Sequence, residues 1–333
     1  MNDEPQQPNP AEEGDPIGGP AASNPQPPSP PVNDQSPPIP SGNSGAPQGT
    51  TAPANRPPDQ RIPASAIDVI NSRLSDRDRA ILRSVDDHQF LTVHQIEALH
   101  FDSVAPDARS RITRRVLSRL RALRVLDTLG RRIGGVRAGS QGLIYHVGVA
   151  GDRVLERPVR RGARLRYDPS ARFLNHRLAV ADHHVALITA HRDSSLDLID
   201  SAVEPSTWRS FTGLGSARRT LKPDLFAETA TRGDDGLVRA WFIEVDLGTE
   251  HIPTLLRKCH EYEAYRQTSI EQDRHGSFPV VIWSMSHADP AKAISRRQAL
   301  EDAVNADPRL PSALFRIVTP EQLLPVVARG GQR

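Results

Sequence analysis

Large apolar side chains are almost missing from residues 1–64, and folded sequence is expected to begin near Ser75. Ser75, Asp76 and Asp78 supply a hydroxyl cap and acids for the positive end of a helix, which predicts a helix over about residues 76–85. Thr92 caps a second, through Val93–Leu99, and Pro106-Asp107 opens a third and longer one to about Leu126. On the third, Ile112, Val116, Leu117, Leu120 and Leu123 share one face, the one that docks on the first two helices. The period then shortens: Val125–Leu129 and Gly142–Val147 read as a hairpin around the Gly-rich stretch 130–137. Three short helices followed by a hairpin predict a winged helix-turn-helix unit.

Beyond a stretch of Arg, Gly and Pro, the pattern alternates between helix and strand. It predicts a helix at about Leu174–Ala190, strands at Leu196–Val203, Leu221–Phe226 and Leu237–Asp246, a helix at Ile252–Arg266, a strand at Pro279–Met285, a helix at Pro290–Asn305 and a strand at Leu314–Val318. That order, α-β-β-β-α-β-α-β, predicts an α/β sandwich (α+β for the whole chain) of the restriction-endonuclease kind. The expected domains are a disordered tail over 1–74, the winged unit over 75–149, a basic linker over 150–172 and the sandwich over 173–327.

Each folded part carries its own candidate chemistry. On the third helix Arg111, Arg114 and Arg121 lie opposite the apolar stripe, with Arg115 and Arg119 at its flanks, and Arg131 and Arg132 occupy the hairpin tip. From Arg109 to Arg137 there are ten arginines against one acid, Asp127, a density suited to phosphates and guanine edges of double-stranded DNA. In the second half Asp224 follows Lys222-Pro223, while Glu244 and Asp246, two residues apart on one strand, point to the same face. If the Leu221–Phe226 and Leu237–Asp246 strands pair through the Thr231–Gly236 turn, Asp224 reaches that face too. Three carboxylates there would ligate a hard cation, Mg²⁺ or Mn²⁺. Lys258, Glu261, Tyr262 and Tyr265 share a face of the following helix, so Lys258 has a route into the acidic site, with a salt bridge to Glu261 or Glu250 as the alternative. His176, His183, His184 and His191 form a stripe expected to be satisfied and half-buried, with a transition metal or a phosphate as the alternative partner, and Asp182 and Glu204 are expected to be structural, with outer membership of the acidic site as the alternative.

Composition sharpens the picture in two places. Residues 1–64 hold 18 of the 30 prolines, too little apolar surface to offset the entropy of ordering, so a disordered tail is expected there. The net charge of +2 conceals six acids and no Lys or Arg in residues 1–55, leaving +2 − (−6) = +8 on the rest, which favours a polyanionic partner. The lone Cys259 excludes a disulfide framework or a thiolate zinc cluster, and no run of about 18 apolar residues predicts a membrane span. Without a basic, apolar leader, a cytoplasmic protein is expected. Oligomeric state leaves no mark in the pattern.

The winged unit, the His-rich helix, Lys222-Pro223-Asp224, the run Phe242-Ile243-Glu244-Val245-Asp246-Leu247-Gly248-Thr249-Glu250 and a helix with Lys258 and Tyr262 together resemble the replication-relaxation family of plasmid and mobile-element proteins, over about residues 75–325. That resemblance implies a role in plasmid replication or DNA relaxation, alongside replication or mobilisation proteins. The second half also resembles the PD-(D/E)xK nucleases, with Asp224 and Glu244 at motif positions but Asp246 where that pattern has lysine. Two readings stand: a Mg²⁺-dependent endonuclease or nickase with Asp224, Glu244 and Lys258 as catalytic residues and Lys222 and Tyr262 as accessories, or a non-catalytic replication accessory or transcriptional regulator with a decayed nuclease core.

Overall fold

The computed structural model of the protein describes residues 62–129, 143–156, 168–213, 217–230 and 237–331. The tail up to residue 61, the hairpin tip with Arg131 and Arg132, residues 157–167 of the basic stretch and the Thr231–Gly236 turn lie outside the described residues. Residues Asp59–Arg333 form one compact unit.

Helix α1 (Ala64–Ser72) lies in the stretch expected as tail, where Ile67 and Ile70 pack it onto the helical core. Helices α2 (Asp76–His88) and α3 (Val93–His100) start where the capping residues place them. Ser75 and Thr92 each accept a hydrogen bond from the backbone N–H three residues on, and the Asp78 and Gln95 side chains accept from the cap N–H in return. Strand β1 (Leu91–Thr92), helix α4 (Pro106–Ala122) and strands β2 (Leu126–Thr128) and β3 (Ile144–Val147) complete the unit, with a small antiparallel sheet ordered β1-β3-β2. Helix α4 stops short of the expected Leu126 because Arg124 adopts a left-handed backbone, φ 57°, and the Val125 N–H turns back to the Leu120 carbonyl. Gly148 permits that turn, since a Cβ on it would lie 2.3 Å from the Arg124 carbonyl oxygen. Leu117 and Leu120 are fully buried, each contributing roughly 2 kcal/mol. Helix α5 (Val149–Val154) follows directly, so the stretch expected as linker begins as helix.

The rest of the chain runs α6 (Ala171–Arg192), β4 (Asp197–Val203), a hairpin of β5 (Arg209–Thr212) and β6 (Arg218–Leu221), β7 (Leu225–Ala230), β8 (Val238–Asp246), α7 (Ile252–Arg266), α8 (Ile270–His275), β9 (Val280–Met285), α9 (Pro290–Ala306), β10 (Phe315–Val318) and α10 (Leu323–Ala328). The main sheet is ordered β10-β9-β8-β7-β4, antiparallel from β4 through β8 and parallel from β8 through β10. Residues of β8 alternate between two layers. Trp241, Ile243 and Val245 pack with Val180 and Leu187 of α6 and with Leu323 and Val327 of α10. Phe242 packs on the other side with Leu255, Cys259 and Tyr262 of α7 and Leu300 and Val304 of α9. The result is the mixed α/β sandwich expected, and Glu244 and Asp246, in phase with Phe242, belong to the α7 and α9 side.

Helix α6 joins this sandwich to the helical unit. The Gln95 amide donates to the Leu178 carbonyl at 2.9 Å and to the Asp182 carboxylate at 2.6 Å, and Arg192 donates to the Ala98 and Leu99 carbonyls. Phe90, Leu129, Ile144, Leu174 and Leu178 form an apolar cluster shared between the two. Among the described residues, no helix is long and apolar enough to cross a membrane.

Candidate active site

Asp224 does not sit inside a strand, as the Leu221–Phe226 expectation had it. Pro223 has no N–H to give a ladder, so β6 ends at Leu221 and β7 begins at Leu225, leaving Asp224 at the entrance to β7. The β7–β8 pairing, Leu225 opposite Ile243, brings Asp224 beside the end of β8. There its Oδ2 accepts the Val245 N–H at 2.8 Å, and its Oδ1 lies 3.2 Å from His176 Nε2 on α6. Glu244, 1% exposed, accepts from Lys258 Nζ at 2.5 Å and from the Tyr262 hydroxyl, so two side chains one helical turn apart on α7 close on one carboxylate. Asp246 shares the face but answers to another helix: its Oδ2 accepts from Arg296 Nη2 of α9 at 2.7 Å. Its Oδ1 is buried without a hydrogen-bond partner among the described residues.

His176, Asp224, Glu244, Asp246 and Lys258 line a cleft of about 440 Å³ whose walls also carry Arg172, Arg257 and Glu261. Asp224 and Glu244 keep spare lone pairs toward it and are oxygen donors of the kind a hard divalent cation takes. Asp246 is held by Arg296, and among the described residues no three His, Cys, Asp or Glu side chains gather into a group able to hold a metal ion. The oxygens that a cation would find here are those of Asp224 and Glu244, with the buried, unpartnered Oδ1 of Asp246 beside them.

Burial sets the charge state. Desolvation drives the Glu244 carboxyl up to about 8, with Lys258 opposing and Asp224 adding to the rise. At Asp224 burial pulls the same way, but the Lys258 charge, the His176 hydrogen bond and the Val245 N–H overcome it and hold that carboxyl down at about 2. Burial pulls the Lys258 ammonium toward deprotonation, but the neighbouring carboxyls, Asp224 among them, outweigh it and raise the group above its ordinary value. His176 is raised because Asp224 outweighs its burial, and burial against Glu244 raises the Tyr262 phenol well above the ordinary range, which makes it a poor nucleophile. The site therefore pairs an Asp224 carboxylate with a Lys258 ammonium, beside a Glu244 carboxyl that holds its proton more tightly than an ordinary one. A raised carboxyl contributes stability that is complete below its unfolded value and is lost as the pH rises through about 8. Below 6.5 the buried His88, His183 and His184, all lowered, act in the opposite sense. Between pH 6.5 and 8 the melting temperature of the metal-free protein should thus fall relative to that of Glu244→Gln. Parallel melting curves of the two proteins check this.

The other expected residues separate. Arg111, Arg114, Arg115 and Arg121 are exposed on α4, and none makes an ion pair among the described residues, whereas Arg119 is tied to Asp78 at 2.6 Å. Lys222 leaves the cleft and stacks 4.4 Å from the centre of the Trp208 ring. The histidine stripe divides among separate partners: His183 meets Ser284, His184 bridges His88 and Ser201, and His191 accepts the Leu198 N–H. Asp182 accepts from Gln95 at 2.6 Å, and Glu204 accepts from the buried Arg177 at 2.5 Å. Sequence reasoning missed His176 as a partner of Asp224 and Arg296 as the partner of Asp246. For His176 the one signal was its place in the stripe; for Arg296, in a chain rich in arginine, there was none.

The replication-relaxation family model matches residues 82–281, from within α2 into β9, and so takes in the whole constellation around Asp224, Glu244 and Lys258. Among curated proteins none matches. Among solved structures, that of the restriction endonuclease FokI aligns at 12% identity and a TM-score of 0.24, over 78% of this chain and 46% of that one. The chain thus spans less than half the length of that protein.

Proposed function

The chain belongs to the replication-relaxation family, and from that premise we propose that it binds double-stranded DNA through a winged helix-turn-helix and cuts a strand of it at the Asp224–Glu244–Lys258 cleft, in the replication or mobilisation of a plasmid-type element. The observation that carries this reading is the position of Lys258. PD-(D/E)xK sites need an ammonium beside two carboxylates, and here α7 delivers one, 2.5 Å from Glu244 and next to Asp224, although Asp246 occupies the usual lysine position.

In this reading Asp224 and Glu244 would hold Mg²⁺ or Mn²⁺, which would supply Lewis-acid charge at the scissile phosphate. Lys258 places a charged donor at the mouth of the site, where negative charge develops, and orients the attacking water. Tyr262 fixes the Glu244 carboxyl from below, and His176 fixes Asp224. Arg111, Arg114, Arg115 and Arg121 face the DNA from α4, and Arg131 and Arg132, outside the described residues, are proposed as further DNA contacts on charge alone. The competing reading, a non-catalytic replication accessory or regulator, draws support from Asp246: clamped by Arg296, it leaves a two-carboxylate site. Cation binding separates the two. Mg²⁺ or Mn²⁺ should raise the melting temperature of the protein by mass action, more strongly as the pH rises toward 8 and the Glu244 proton becomes easier to displace. Glu244→Gln should abolish the rise. Calorimetry without detectable binding at millimolar cation would overturn the catalytic reading.

A further inference from the structure

Across α7 from the cleft lies a second cavity, of about 510 Å³, between that helix and the β5–β6 hairpin. Arg257 and Glu261 line both cavities, so the two share one rim along α7. Lys258 serves the cleft and His260 the second cavity. Arg219 of β6 and Arg257 are exposed, and neither makes an ion pair among the described residues. Gly213 lets Arg219 lie flat across the hairpin: a Cβ there would come within 3.0 Å of its Cδ and Nε. The nearby acid Asp307 is paired with Arg309 at 2.8 Å and lies 3.0 Å from His260, which leaves Glu261 at the shared rim as the opposing charge. Beyond Leu221, where β6 ends, Lys222 and Pro223 lead directly to Asp224. From Arg219 to Asp224 the chain spans at most about 16 Å at roughly 3.3 Å per residue, the axial length of about five nucleotides.

We infer that this groove is a phosphate track, in which Arg219 and Arg257 grip the backbone of the DNA strand on its way into the cleft. The inference rests on the reading of the cleft as a nucleic-acid site and adds a second DNA contact to it, outside the winged unit. Two exposed guanidiniums on facing elements suit successive phosphates, because each offers paired donors in a fixed plane.

The test is the salt dependence of binding of the full chain to a fluorescently labelled DNA duplex, measured without divalent cations. Arg219→Gln with Arg257→Gln should lower the log–log slope by about two units, since each lost phosphate contact removes roughly 0.9. Arg219→Lys with Arg257→Lys should recover most of the slope. Lys292→Gln with Arg329→Gln removes the same charge from exposed sites elsewhere and should leave the slope as in the wild type. An unchanged melting temperature of the Gln pair ties its effect to binding. If the Gln pair matches the Lys292/Arg329 control, the track is overturned. A lowered slope in a protein that never cleaves DNA would keep the track and remove the catalytic reading. Cleavage by the wild type with an unchanged slope would do the reverse.

Discussion

Lys258→Met should reduce metal-dependent DNA cleavage by at least about a hundredfold, the scale of roughly 3 kcal/mol seen when one positioned charge-stabilising donor is removed. DNA affinity should stay nearly constant, because the exposed arginines of α4 lie on a different element from Lys258. Lys258→Arg should not rescue the rate. A planar guanidinium cannot reproduce the compact ammonium that meets a single Glu244 oxygen at 2.5 Å. A structural salt bridge would behave differently: Lys258→Met would then lower the melting temperature and leave the rate per folded molecule alone. Rates and melting curves on the same preparations distinguish the two roles.

Replacing Arg111, Arg114 and Arg121 together by Ala should weaken DNA binding by roughly two orders of magnitude at moderate salt and flatten the log–log salt slope by nearly three units. The three side chains are exposed and make no ion pair among the described residues, so their loss leaves the core of Leu117 and Leu120 intact. Affinity equal to the wild type would place the DNA surface elsewhere on the molecule.

Much of this architecture was legible because local chemistry declares it. Ser75 and Thr92 cap helices through side-chain acceptors that a sequence displays, and the alternation of Trp241 to Asp246 fixes which layer each residue joins. Lys258 and Tyr262 were legible together through helical spacing, and both reach Glu244. What stayed hidden was set by distant partners or unusual backbone. Arg124 ends α4 in a left-handed conformation that neither Gly nor Asn announces, and tertiary contact with Gly148 decides it. The β5–β6 hairpin escaped notice because Arg209–Thr212 and Arg218–Leu221 each bury one residue, too little for a period of two to register. The face of Asp246 was readable and the partner of its Oδ2 was not, because Arg296 comes from a helix 50 residues away.

The central claim, that α7 restores a working site by bringing Lys258 to Asp224 and Glu244, is tested most directly by incubating the purified protein with supercoiled plasmid DNA in the presence of Mg²⁺ or Mn²⁺ and in a chelator. Conversion to the nicked or linear form with either cation, absent in the chelator and in Glu244→Gln, is the result expected. Plasmid that stays supercoiled with both cations, under conditions where the protein is bound to it, would contradict the claim and leave a DNA-binding accessory.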